Sequence, residues 1–140
     1  MVQKVKQIFV NLPVKNLDKS IEFFKKLGFT FNPQFTDQNA TCMIICDNIF
    51  AMLLVEPFFK TFTTKEISDA AKSVEVINAL AVGSKLDVDN MIKAALSAGG
   101  VEPRPVQDHG WMYGRAFEDL DGHLWEVFYM DETQMPKEIK

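Results

Sequence analysis

One carboxylate in the C-terminal part of the chain stands where carboxylates rarely stand. Glu126 lies in Phe117-Glu-Asp-Leu-Asp-Gly-His-Leu-Trp-Glu-Val-Phe128, inside a strand-like apolar run. A carboxylate so placed serves as a metal ligand, as an acid or base, or as half of an ion pair. His123 is three residues from Glu126, so strand alternation turns it to the opposite face. His109, in VQDHGW between two strands, is expected to be a solvated loop residue. Asp119 and Asp121 read as turn-formers. No nucleophile elbow, phosphate loop or CxxC pair appears. Cys42 and Cys46, on one strand face about 13 Å apart, are too far apart to bond and are expected to be reduced, buried thiols.

The neighbours of Glu126 follow from the hairpin that carries it. With Asp119 opposite Gly122, Phe117 pairs with Leu124, Arg115 with Glu126 and Tyr113 with Phe128, all on one face. Arg115 would then hold Glu126 ionised in a cross-strand ion pair, since the guanidinium does not deprotonate. A one-residue slip would move Arg115 to the other face and leave Glu126 open to a role as base or lone metal anchor. Trp111, Tyr113, Phe128 and Phe9 are candidates for an aromatic ligand box and equally for ordinary packing.

The elements that must position these residues occur twice. Asn16 to Gly28 has an N-cap-type Asn, apolar residues at Leu17, Ile21, Phe24 and Leu27, and a C′-type glycine. At a shift of 71, Asp87 falls on Asn16, Val88 on Leu17, Ile92 on Ile21 and Gly99 on Gly28. Strand-like runs precede the helices at 5–13 and 74–82, and follow them at 29–35, 41–46 and 49–56, then 101–107, 112–118 and 123–130. The turns Asp47-Asn48 and Asp121-Gly122 match at a shift of 74 and suit positive φ. The pattern predicts an α+β fold of two βαβββ modules, 1–56 and 74–130, forming a cupped mixed sheet in a single domain of 140 residues. A connector, 57–73, carries Phe58, Phe59 and Phe62 and a Thr63-x-x-Glu66 capping box opening a short helix; a polar tail follows at 131–140.

Composition narrows the partners. With 47% hydrophobic and 24% charged residues the chain reads as an ordinary globular protein. No apolar run approaches the roughly 20 residues of a membrane span, the first apolar run is broken by lysines, and a cytoplasmic location is expected. A formal charge of −4 without a basic cluster argues against nucleic acid and membrane surfaces, leaving a small molecule as the expected partner.

The segments LPVKNLDKSIEFFKKLGF and FEDLDGHLWEVF, with the doubled βαβββ plan, resemble the vicinal oxygen chelate superfamily. That superfamily includes glyoxalase I, extradiol dioxygenases, fosfomycin-resistance proteins and bleomycin-resistance proteins. The resemblance implies a cavity within the sheet and, in the metalloenzymes, a divalent ion held by His, Gln or Glu from the first and last strands of the modules. It lands Glu126 on the final carboxylate ligand, and the internal repeat places the other ligand positions at Phe9, Met52 and Ile77. Gln7 and Asn78 are the nearby alternatives. Three apolar groups and one carboxylate do not make a site for Mg, Mn or Zn, so no cofactor is expected and a divalent metal is a minor alternative.

The leading expectation is a glyoxalase- or bleomycin-resistance-like protein that binds a small organic molecule in the sheet cavity without the full metal site. Its ligand would touch Phe9, Asn11, Met52, Leu54, Ile77, Trp111, Tyr113, Arg115 and Phe128, with Glu126 the candidate catalytic residue and weak metal candidate. One alternative is a metal-dependent lyase, isomerase or dioxygenase anchored by Glu126 with Gln7 or His109; another is a catalytically silent interaction module using the connector. Twelve phenylalanines, concentrated in the first half and connector, favour a homodimer.

Overall fold

The computed structural model describes residues 4–136; the first three residues and the last four of the polar tail lie outside the described residues. The chain divides into two compact units, Met1–Ser68 and Asp69–Lys140, each with its own four-stranded mixed sheet. In each unit the first strand pairs in parallel with the last, which pairs antiparallel with the hairpin strand before it. The doubled α+β plan read from the sequence is therefore present.

The first unit runs β1 (Ile8–Val14), α1 (Leu17–Lys26), β2 (Thr30–Asn32), β3 (Ala40–Cys46), β4 (Ile49–Val55) and the short α2 (Glu56–Phe59). Sheet order is β1-β4-β3-β2. The Asn16 side chain caps α1 by accepting from the Lys19 N–H. Gly28, at φ +100, ends the helix: its N–H reaches the Lys25 carbonyl and the Phe29 N–H the Phe24 carbonyl. Alternation along the strands turns Leu12, Val14, Thr41, Met43, Ala51 and Leu53 toward α1, where Leu17, Phe23 and Phe24 are buried. Phe9, Asn11, Cys42, Phe50, Met52 and Leu54 fall on the far face.

The second unit runs β5 (Ile77–Ala81), α3 (Lys85–Ser97), β6 (Gln107–Asp108), β7 (Met112–Glu118) and β8 (Leu124–Met130), in the order β5-β8-β7-β6. Phe117, Trp125 and Val127 are fully buried, as are Val88, Ile92 and Ala95 of α3. Gly99 and Gly100 close α3 as Gly28 and Phe29 close α1, with the Gly100 N–H on the Ala95 carbonyl.

Several local expectations are corrected. The N-cap of α3 is Ser84, whose hydroxyl accepts from the Asp87 N–H, so Asp87 sits in the first turn beside the positive end of the helix. Thr63 spends its hydroxyl on the Lys65 N–H, two residues on, and no helix follows; the helical turns come earlier, in α2 and at Lys60–Phe62. The strand read at 101–107 shrinks to Gln107–Asp108 and an isolated bridge from Val101 to Glu118, because Pro103 and Pro105 have no N–H for the ladder. Asp47 and Asn48 do not take positive φ, and a register shift between Ile44 and Cys46 bends the strand end. Cys46 is consequently exposed, while Cys42 is buried and its thiol pKa pushed up by that burial.

Candidate functional site

The β7–β8 hairpin has a register one residue away from the expected one. Asp119 stands opposite His123, its N–H bonding the His123 carbonyl, and Leu120-Asp121-Gly122 form a three-residue loop with Gly122 at φ +88. The buried Asp119 carboxylate fixes this loop: Oδ1 accepts from the Asp121 and His123 N–H groups, and Oδ2 from the Trp125 indole at 2.9 Å. Burial raises its pKa, partly offset by His123 and these hydrogen bonds. Phe117 therefore pairs with Trp125, Ala116 with Glu126 and Arg115 with Val127.

The slip separates residues expected to share a face. Tyr113 and Arg115 point toward α3, where both bond Asp89 Oδ1, at 2.7 and 2.9 Å. Arg115 also forms a bidentate pair with Glu102, both contacts 2.8 Å. The Tyr113 hydroxyl first, then Arg115, lowers the Asp89 pKa; Arg115 lowers that of Glu102; and Asp89 raises that of Tyr113. The expected Arg115–Glu126 pair is thus replaced, and Arg115 and Tyr113 belong to the helix-covered side of the sheet. Trp111 is half-buried just ahead of β7, its carbonyl accepting from the Asp131 N–H.

Glu126 occupies the far face, in one row with Ala79 and Ala116. Ile77 and Phe128 share that face two residues away on either side of the row; Asn78 is in register with Trp125 on the other. The partner of Glu126 is Arg104, Nη2 to Oε2 at 2.6 Å, with side chains 28% and 23% exposed. Arg104 and Glu102 arrive on one strap, residues 101–106. From Val101, opposite Glu118, to Gln107, opposite Gly114, the strap takes six steps where β7 takes four. The two extra residues free the strap from strand alternation, so Glu102 reaches the α3 side and Arg104 the far side. Neither was singled out from the sequence, although Arg104 is one of only two arginines and sits between prolines.

The first unit offers a different surface. Asn11, Met52 and Cys42 form the row equivalent to that of Glu126, with Met52 paired to both neighbours. Phe9 stacks on Phe50 at 4.8 Å and is 42% exposed. Beside them a cavity of about 270 Å³ is lined by Asn11, Leu54, Phe59, Phe62 and Thr63. Phe62, which lines it from the connector, meets Phe58 edge to face at 5.2 Å. Asn11 Nδ2 donates to the Phe9 carbonyl, which leaves the side-chain oxygen as an acceptor at the cavity.

As a divalent-metal site the residues around Glu126 fit poorly. Its row neighbours are alanines, a guanidinium already holds one carboxylate oxygen, and among the described residues no three His, Cys, Asp or Glu converge. Gln7 precedes β1 in the first unit, and His109 lies between β6 and β7 with its N–H on the Met112 carbonyl.

This architecture is the glyoxalase/bleomycin-resistance fold, as the sequence resemblance implied. Residues 6–45 match the family model described as bleomycin resistance protein-like N-terminal. Among solved structures, a hypothetical protein from S. aureus is 26% identical, with 91% of this chain and 95% of that one covered at a TM-score of 0.77. A glyoxalase/bleomycin resistance protein/dioxygenase family enzyme from Burkholderia phytofirmans is 12% identical, with 87% and 96% covered and a TM-score of 0.75. A fosfomycin resistance protein from Listeria monocytogenes, solved with Mn(II) and 1S,2S-dihydroxypropylphosphonic acid, is 16% identical, with 91% and 90% covered and a TM-score of 0.64. No curated protein matches the chain at a significant level.

Proposed function

We propose that the protein binds a small, mainly apolar organic molecule on the far sheet face of its first unit, without a family-type metal ion. The observation that carries this reading is the cavity between β1, β4 and the connector: two phenylalanines and a leucine supply apolar surface, and Asn11 and Thr63 supply polar atoms at its rim. At about 270 Å³ it suits a ligand of one or two rings. Among the described residues the Asn11 oxygen has no hydrogen-bond partner, which favours a ligand that presents one hydroxyl or N–H. Glu126, on the other unit, is paired with Arg104 rather than held free as a base.

Screening small aromatic and aliphatic compounds by thermal shift tests this reading. A native-state ligand at a hundredfold excess over Kd stabilises by about 2.7 kcal/mol. Hits should share an apolar body with one donor, and Phe62→Ala should weaken them by about tenfold through lost apolar burial. EDTA should leave the melting temperature unchanged. A rise of several degrees with Ni, Zn or Mn at modest concentration would overturn metal independence, and a hit set made only of polyanions would overturn the ligand class.

A further inference from the structure

The cavity of the first unit has hydrogen-bonding capacity of two opposite kinds. Asn11 turns Nδ2 to the Phe9 carbonyl at 3.2 Å, and since a carbonyl only accepts, the other end of the amide is Oδ1, an acceptor with no partner among the described residues. Thr63 is the reverse case. Its Oγ1 accepts from the Lys65 N–H at 3.1 Å, which occupies a lone pair and leaves the hydroxyl hydrogen without an acceptor among the described residues. The cavity thus offers one acceptor on β1 and one donor at the end of the connector turns, with no charged side chain in its lining. An ionised group entering it would give up water without gaining a counter-charge, so neutral ligands are selected.

The apolar lining narrows the class further. Leu54, on the sheet, is 2% exposed, while Phe59 and Phe62 come from the helical turns that follow β4. Phe62 is 69% exposed. Phe58 meets it edge to face, and the Thr61 hydroxyl, donating to the Phe58 carbonyl at 2.7 Å, ties the same turns together. The Phe62 ring is therefore steadied with most of its surface still open, and a flat ligand that stacks on it gains apolar contact without first ordering the connector.

Resting on the cavity as a small-molecule site, we infer that its ligand class is a neutral hydroxylated aromatic carbonyl compound. The ring stacks on Phe62, the ligand hydroxyl donates to Asn11 Oδ1, and the ligand carbonyl accepts from the Thr63 hydroxyl. Phe62 then sets the preference for flat over puckered rings. Asn11 and Thr63 set the requirement for a donor and an acceptor that the ligand has not already spent on each other.

The test uses the full chain at about pH 6, where the phenol is neutral. Its probes are 3- and 4-hydroxyacetophenone, whose donor and acceptor are free; 2-hydroxyacetophenone, of identical composition, whose hydroxyl is bonded to its own carbonyl; and 4-acetylcyclohexanol, which keeps both groups on a saturated ring. Two proton–nitrogen signals report on the site: the Asn11 side-chain amide and the Lys65 backbone N–H that is bonded to Thr63 Oγ1. The better of the 3- and 4-isomers is expected to move both, leave the amides of α1 in place, and bind about fivefold or more tightly than the 2-isomer and the saturated analogue. Thr63→Val should erase the preference over the 2-isomer and Thr63→Ser should keep it, while Phe62→Leu should erase the preference over the saturated analogue. If a variant does not fold, the wild-type comparison decides alone. The 2-isomer or the saturated analogue moving these signals at equal or lower concentration overturns the ligand class and leaves the cavity standing as a general apolar site. No probe moving either signal up to about 10 mM also overturns the class. The cavity falls with it only if the compounds that raise the melting temperature leave the Asn11 signal unmoved as well.

Discussion

The two units share one strand pattern and fill it differently. In the first, the central row of the far face is Asn11, Met52 and Cys42; in the second, it is Ala79, Glu126 and Ala116, at the same cross-strand positions. Large side chains and a phenylalanine-bearing connector make an apolar cavity in one unit. Small side chains and a strap from the sheet edge make a polar floor in the other. A repeated scaffold therefore fixes where side chains emerge, while residue volume and the segments outside the repeat decide what chemistry that face offers.

The hairpin glycine of the second unit gives the largest expected effect, and the helix-ending glycine of the first is its control. At Gly122 a Cβ would lie 2.9 Å from the Ala70 carbonyl carbon and oxygen and from Ala71 Cα, all backbone atoms, and φ is +88. At Gly28 φ is +100 but nothing lies within 4 Å. Gly28→Ala should thus cost only the left-handed conformation, about 1 kcal/mol, whereas Gly122→Ala adds an overlap that flexible side chains cannot relieve, about 2–4 kcal/mol in all. Urea unfolding checks both; equal losses would mean that the turn at 70–72 moves freely away from the hairpin.

Next comes the ion-pair network that braces the strap, which has no counterpart in the first unit's row. Arg115→Met leaves Glu102 without its bidentate partner and should destabilise by about 1–3 kcal/mol, the lower end reflecting partial exposure. The pH dependence has a defined sign. Asp89 and Glu102 have pKa values lowered on folding, so their contribution is present above the ordinary carboxylate range and is lost as pH falls through their folded values. Asp119 opposes them: its pKa is raised on folding, so its contribution is present below the ordinary range and is lost as pH rises through the folded value. Removing Arg115 should therefore weaken acid destabilisation, and stability measured from about pH 6 to pH 3 should fall less steeply in the variant than in the wild type. A steeper fall would contradict the assigned network.

What the sequence revealed and what it hid divide along the same line. The helices and the shared strand order were legible because capping residues and apolar periodicity are local: Asn16, Gly28 and Gly99 all do in the structure what their types predict. The site was less legible because it depends on register. Counting Asp119 against Gly122 instead of His123 moved Arg115 and Tyr113 to the wrong face of the sheet, since strand alternation converts an error of one residue into a reversal. The signal that would have corrected it is Asp119 itself, an aspartate placed to accept from backbone N–H groups two and four residues on, which favours the longer loop. Arg104 was missed for a different reason: the prolines around it read as a weak strand, and nothing local says which face a strap between prolines will reach.

The smallest effect is also the one that separates the two registers most directly. In a double-mutant cycle of Arg104→Met with Glu126→Gln, the coupling energy should be about 0.5–2 kcal/mol, because the pair is in contact yet about a quarter exposed on both sides. The cycle of Arg115→Met with Glu126→Gln should give less than about 0.5 kcal/mol, since the two side chains leave the sheet on opposite faces and, among the described residues, share no partner. Arg115→Met is the more damaging single change and Arg104→Met the more strongly coupled to Glu126, so size and coupling rank the two arginines in opposite order. A general loosening of the hairpin would rank them the same way. Coupling through Arg115 with none through Arg104 would restore the two-residue turn, bring Tyr113 and Arg115 back to the face of Glu126, and dissolve the contrast between the far faces of the two units.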